Sequence, residues 1–295
     1  KLLKQYADGS PNFDTIIEIN VPTKSALRGM IIDHFKSDPD VTTAILYFAG
    51  HGYLDELGGY IVTPDHESND VGISMNEILD LANQSSIRNK IIILDCCHSG
   101  VFGAQSKGGS ITPISSGISI LTACKAEESA IGINGHGIFT NLLISALEGG
   151  AADLRGHISP GGIYAFIDQA LGALDQRPVF KTNVTRFVSL REVKPQVPAD
   201  IIRKLIEYFP TQEDPFKLDP SYEDTNTDSV PHSVIEPHSK PENVAIFKHL
   251  QKFQSVGLVV PVEEEYMYFA AMKSKSCKLT ALGCHYWRLV KDSRF

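Results

Sequence analysis

Short apolar runs separated by polar turns set the rhythm of the first two thirds of this chain. Ile91, Ile92, Ile93 and Leu94 form a continuous apolar run, the pattern of a strand buried on both faces. Thr42–Phe48 (TTAILYF) and Ile118–Ala123 (ISILTA) repeat it, and Phe13–Ile19, Gly59–Thr63 and Pro178–Thr182 read as further strands. Between them the period lengthens to that of helices. Thr23 caps a helix with Leu27, Met30, Ile31 and Phe35 on one face. Ser74 and Glu77 form a capping box for a helix through Ile78, Leu79 and Leu81. Gly137–Leu147 turns Ile138, Leu142 and Leu143 inward, and Ser159-Pro160 opens a helix that buries Ile163, Phe166, Ile167 and Leu171. Strands alternating with helices in this order predict an α/β fold with a doubly wound, mostly parallel sheet.

The pattern changes near Lys194. Ile201–Phe209 reads as a helix, and Thr211–Glu242 is crowded with Pro, Ser, Asp and Glu, the composition of a linker. Asn243–Val256 is helical again, Leu258–Val262 and Tyr266–Met272 read as a hairpin, and Leu279–Lys291 is a final helix. Helix, hairpin and helix, with LTALG before the last, resemble the end of a winged helix-turn-helix domain. The expected organisation is a first domain over 1–192, a helix and linker over 193–241, and a small α+β winged-helix-like domain over 242–295.

Composition narrows the classes. The chain has 295 residues and a formal net charge of −8, which argues against a generic nucleic-acid binder. From Glu242 onward, however, Lys and Arg outnumber Asp and Glu. A solvated face and a docking module for protein or nucleic acid both remain open there. No apolar run is long enough to span a bilayer, and the N-terminus lacks the apolar core of a signal peptide. Five cysteines without framework spacing suit a reducing cytoplasm. Lys1 is not an initiator methionine, so a processed or truncated chain is expected.

The chemistry sits where two apolar strands stop. Thr42–Phe48 runs into Ala49-Gly50-His51-Gly52, and Lys90–Leu94 into Asp95-Cys96-Cys97-His98-Ser99-Gly100. In open α/β sheets ligand chemistry lies beyond the carboxyl ends of the strands. The spacing of His51 and Cys97 matches one strand–helix–strand unit, so the two ends are expected side by side. A histidine near a cysteine raises its thiolate population or takes its proton during attack. Gly50 and Gly52 keep the backbone bare around His51, and the N–H groups of Gly52 and Cys97 are placed to hold an oxyanion.

YFAGHG at Tyr47–Gly52 and DCCHSG at Asp95–Gly100 together resemble the histidine and cysteine motifs of caspase-like cysteine peptidases, closest to the metacaspase/orthocaspase branch and its bacterial relatives. The cysteine motif departs from the Gln-Ala-Cys signature of animal caspases. The resemblance covers about Phe13–Leu190 and implies an endopeptidase acting on protein or peptide substrates. It implies Cys97 as nucleophile, His51 as base, and Asp95 as the first-subsite carboxylate that pairs with substrate Arg or Lys. Cys96 takes the variable position, expected buried on the opposite strand face. Ala49 stands where the family often has Ser, which makes the pocket less polar. Lys107, in the Gly/Ser-rich loop, is read either as the point where such proteins cut themselves or as an ordinary exposed loop lysine. No cofactor is required, and no Asp cluster supports carrying calcium over. Fusion to a terminal unit resembles bacterial caspase-family effectors under the control of an activating partner.

Other readings stay open beside these. The family has a first, central strand before Phe13–Ile19 that is not found, and its segment is expected to have been removed or to lie outside the sequence. Cys124 is read as a wall of the substrate cleft or as a buried strand residue. Asp65 either orients the histidine loop or is a turn carboxylate. His98 and Ser99 shape a turn, and Cys277 and Cys284 are core residues. A zinc site, inert buried cysteines and a catalytically silent adaptor that binds protein or nucleic acid through its terminal domain are the remaining alternatives.

Overall fold

The computed structural model describes residues 2–14, 20–21, 23–96, 113–123, 137–171, 178–225, 230–232 and 239–295. The chain divides into two compact units, Lys1–Lys194 and Pro195–Phe295.

In the first unit, helix α1 (Lys24–Phe35) starts where expected, with the Thr23 hydroxyl accepting from the Ala26 N–H at 3.2 Å. Strand β1 (Thr43–Ala49) follows, then a small antiparallel sheet of β2 (Gly52–Leu54), β3 (Gly59–Glu67) and β4 (Asp70–Ser74). Helix α2 (Met75–Gln84) leads into β5 (Asn89–Asp95), and beyond it come β6 (Ile118–Thr122), helix α3 (Ile138–Ser145) and a wider turn over Ala146–Gly150. A short strand β7 (His157–Ile158), helix α4 (Pro160–Ala170), β8 (Val179–Asn183) and β9 (Arg191–Glu192) complete the unit. Ser159 caps α4 as expected, accepting from the Gly162 N–H at 3.1 Å.

The central sheet has the order β1-β5-β6-β8. β1, β5 and β6 are parallel, and β8 runs antiparallel to β6. It is the mixed, mostly parallel α/β sheet that the alternating pattern predicts. Both faces are covered. Ile92, Leu94, Ile118 and Ile120 pack towards α1 and α2, whereas Ile91, Ile93 and Leu121 pack towards α3 and α4. That two-sided burial is why the β5 run is uniformly apolar.

One expectation about this unit needs correction. Ser74 stands at the N-cap of α2 but makes no capping bond with its side chain. Glu77 reaches Arg28 instead, Nε to Oε1 at 2.5 Å, so a charge-assisted bond to α1 replaces the reciprocal box. The strand expected over Phe13–Ile19 falls on residues 15–19, which lie outside the described residues, and the missing central strand concerns the same end of the chain. Among the described residues β1 is paired on one side only, to β5.

The second unit opens with two short helices, α5 (Ala199–Ile202) and α6 (Leu205–Tyr208), where one was expected. Within the Pro/Ser/acidic stretch, β10 (Phe216–Lys217) pairs with a later strand, and Leu218 and Ser221 are buried. Helix α7 (Pro241–Ser255), β11 (Val259–Val262), helix α8 (Met267–Met272), β12 (Ser276–Leu279) and helix α9 (Ala281–Lys291) follow. The expected hairpin therefore has a different second arm. Tyr266–Met272 is not a strand: Met267, Ala270 and Ala271 are buried at helical spacing. β11 pairs instead with β12. Trp287 locks α9 in place, its Nε1–H donating to the Phe209 carbonyl at 2.6 Å. Among the described residues no helix is long and apolar enough to cross a membrane.

Candidate active site

The two motif-bearing strands are parallel neighbours. β1 and β5 run in register from Thr43 opposite Asn89 to Ala49 opposite Asp95. The ladder extends one bond further, because the Gly50 N–H donates to the Asp95 carbonyl at 3.1 Å. The histidine loop is thus tied to the end of β5 by main chain. On its other side, the His51 carbonyl accepts from the Val62 N–H at 2.9 Å. His51 and Val62 form a hydrogen-bonded pair, so the next pair, Gly52 and Ile61, is of the open type. The Gly52 N–H therefore points away from β3. His51 and Ala49 are both exposed. A Cβ at Gly50 would stand 2.8 Å from the tip of the Phe48 ring, which would have to shift to admit it.

Asp95 and Cys96 part to opposite faces. Cys96 is 5 % exposed and joins the core under α1 and α2, the packing role expected of it. Asp95, half-buried, faces the N-terminus of α3 on the other side, and its Oδ2 accepts a very short hydrogen bond from the Thr140 hydroxyl. Thr140 Oγ1 lies 2.7 Å from the Tyr47 hydroxyl, which comes from β1. Burial raises the Tyr47 pKa, the Asp95 charge adds to the rise, and the bond to Thr140 opposes it. Tyr47 stays a neutral donor. Gly137, just before α3, leaves room beside the carboxylate: a Cβ there would lie 3.5 Å from Asp95 Oδ2.

Cys97, with His98, Ser99 and Gly100 after it, lies outside the described residues, as do Lys107 and Cys124. Asp65 does not orient the histidine loop. Its carboxylate accepts from the Lys24 N–H at 2.9 Å and 3.1 Å and so helps to cap α1. Tyr47 opens the histidine motif but is assigned no role by it, and Thr140 lies in no motif; the hint of it in the chain is a polar β-branched residue on the buried face of α3, between Phe139 and Leu143. In the second unit, basic residues are offset by acids: Lys248 pairs with Asp224 at 2.9 Å, Lys273 with Glu264 at 2.9 Å and Lys275 with Glu263 at 2.6 Å. Three of the eight Lys and Arg residues from Glu242 onward are engaged in these pairs. Cys277 is fully buried and its thiol is pushed up to about 12 by that burial.

A mostly parallel sheet with helices on both faces, and a histidine loop bonded to an acidic strand end, define a caspase-type α/β domain. The chain belongs to the caspase-domain family: residues 3–189 match the family described as "Caspase domain", a family of cysteine peptidases. Among solved structures it is similar to drICE, at 13 % identity over 61 % of this chain and 78 % of that one, with a TM-score of 0.41. It is likewise similar to caspase-1 from Spodoptera frugiperda, at 15 % identity over 65 % of this chain and 78 % of that one, with a TM-score of 0.41. No curated protein matches it.

Proposed function

We propose that the chain is a cysteine endopeptidase of the metacaspase type that cleaves after Arg or Lys. The observation that carries this reading is the register of β1 and β5, with the Gly50–Asp95 bond beyond it. It brings together the ends of the two strands from which the His51 and Cys97 motifs continue. Cys97 Sγ, having passed its proton to His51, attacks the scissile carbonyl carbon and forms a C–S bond. The oxyanion is held by the N–H groups of Gly52 and Cys97. His51 then gives the proton to the leaving amine as the C–N bond breaks, which leaves a thioester. Water, deprotonated by His51, attacks the thioester, releases the acid and restores the thiol. Asp95 supplies the charge that holds a substrate Arg or Lys in the first subsite, with Ala49 and Cys124 lining it.

The second unit is read as a winged-helix-like docking module for an activating protein partner, supported by its being a compact unit of its own. A cytoplasmic setting is supported by the free thiols of Cys277 and Cys284.

Fluorogenic peptides ending in Arg, Lys or Asp, assayed with the full chain and with Cys97→Ala, test the reading. Turnover of the Arg and Lys peptides that vanishes in Cys97→Ala and in His51→Ala is expected. Wild-type chain is expected to yield two fragments from cleavage at Lys107, and Cys97→Ala none. Cleavage after Asp alone, or turnover that survives Cys97→Ala, would overturn it.

A further inference from the structure

The Asp95 carboxylate is held by a chain of two hydroxyls that comes from two other elements. An ionised carboxylate only accepts, so the single proton of Thr140 goes to Asp95 Oδ2. The Tyr47 hydroxyl, 2.7 Å from Thr140 Oγ1, must then be the donor of that bond. The direction of the chain is fixed: Tyr47 to Thr140 to Asp95. Hydrogen bonds in such a row polarise one another, and the last one ends on a charge, where bonds are strongest.

The terminal torsion of an aspartate is broad and roughly two-fold. The β5 backbone places Asp95 but does not choose which way its oxygens face. Thr140 makes that choice by engaging Oδ2, and the glycine at 137 leaves the carboxylate's flank open. Thr140 is itself 9 % exposed and carried by α3, whereas Tyr47 is 42 % exposed. The charge that would receive a cationic side chain is thereby oriented before the substrate arrives, which removes an ordering cost from binding.

We propose that Thr140, backed by Tyr47, is a positioning residue that orients the Asp95 carboxylate and so sets the affinity of the first subsite for a cationic side chain. This role rests on the reading of Asp95 as the first-subsite carboxylate.

The test compares wild type, Thr140→Val, Thr140→Ser and Tyr47→Phe in the full chain. Two readouts serve: KM and kcat on peptides ending in Arg, Lys and norleucine, and the Kd of agmatine by calorimetry. Loss of one hydrogen bond to a charged group predicts that Thr140→Val raises KM for the Arg and Lys peptides, and Kd for agmatine, by about 10-fold or more, with kcat within about two-fold. The norleucine peptide is expected to be unaffected, Thr140→Ser to restore the wild-type values, and Tyr47→Phe to produce a smaller loss of about three-fold. Unchanged KM and Kd in Thr140→Val overturn the role, as does an equal loss on norleucine that Thr140→Ser does not repair. Agmatine binding without any turnover ends the peptidase reading alone, and Thr140 is then judged by the agmatine Kd. A chain that neither binds agmatine nor cleaves after Arg or Lys ends both.

Discussion

The histidine loop hangs on the small sheet of β2, β3 and β4, and Gly72 is where that sheet is least tolerant of change. It lies in β4 opposite Val62 with φ at +151°, and a Cβ there would stand 2.0 Å from the Ile61 carbonyl oxygen. Gly72→Ala therefore carries two costs. A side chain in this region of backbone space costs about 1–3 kcal/mol, and relieving an overlap with main chain costs about 1–3 kcal/mol more. The total, about 2–6 kcal/mol, is a large part of the roughly 5–15 kcal/mol that holds a domain folded. With a urea slope of about 2 kcal/mol per molar, the midpoint is expected to fall by about 1–3 M. Trp287, the single tryptophan, lies in the second unit, so unfolding is best followed by hydrogen exchange of peptides covering residues 43–95. Gly29→Ala is the control. Gly29 lies in α1, where nothing stands within 4 Å of an added Cβ, and alanine there is expected to stabilise by about 1 kcal/mol. Peptidase activity should fall with Gly72→Ala, since Ile61 pairs with Gly52 and Val62 bonds to His51. A Gly72→Ala chain as stable as wild type would refute the reasoning, and so would one that matched Gly29→Ala.

Two further outcomes are expected. Among the described residues His34 Nε2 is buried without a hydrogen-bond partner, and burial depresses its pKa, against a smaller opposing effect of a backbone bond to Ile45. Below about pH 6.5 the unfolded chain takes up a proton that the folded chain refuses. The stabilisation is therefore whole above that pH and shrinks as pH falls through the depressed folded value. His34→Gln should flatten the acid limb of a stability profile measured by urea unfolding, and an unchanged limb would count against the assignment. Cys277, pushed up to about 12 by burial, should resist iodoacetamide at pH 8 in the folded chain and react once unfolded, because only the thiolate attacks. Mass spectrometry of the peptide would show a folded-state adduct if that were wrong.

What could be read along the chain and what could not follow from the range of the interactions. The β1, β5 and β6 strands were legible because burial on both faces forces runs of apolar residues. The caps at Thr23 and Ser159 were legible because capping acts over three residues. The Ser74–Glu77 box had the right spacing, yet Arg28, 49 residues away from Glu77, competed for the carboxylate and won. Tyr266–Met272 is rich in aromatics, which suggest a strand, but its buried positions follow a helical period and packing overrode propensity. The strands β2 and β4 are only three and five residues long and exist through pairing with β3. At the candidate site, local motifs pointed to His51, Asp95 and Cys97. Thr140 stands 45 residues from Asp95 and 93 from Tyr47, and no local spacing announces such a row.

The uniform run Ile91–Leu94 has a consequence for folding. A strand whose two faces are equally apolar tells the sheet nothing about which way it should face, and such strands are prone to slip. In β5 the information sits at the two ends. Lys90, 3 % exposed, faces the α1 and α2 side and donates from Nζ to the Ser85 carbonyl at 3.2 Å. Asp95, an odd number of residues later, faces the α3 side and is met by Thr140. A slip of one residue would turn each charge to the wrong face, away from its partner and into apolar surroundings, at a cost of several kcal/mol. The two charges act as opposed alignment pins, so the carboxylate read here as the selector of substrate also selects the register of the strand that carries it.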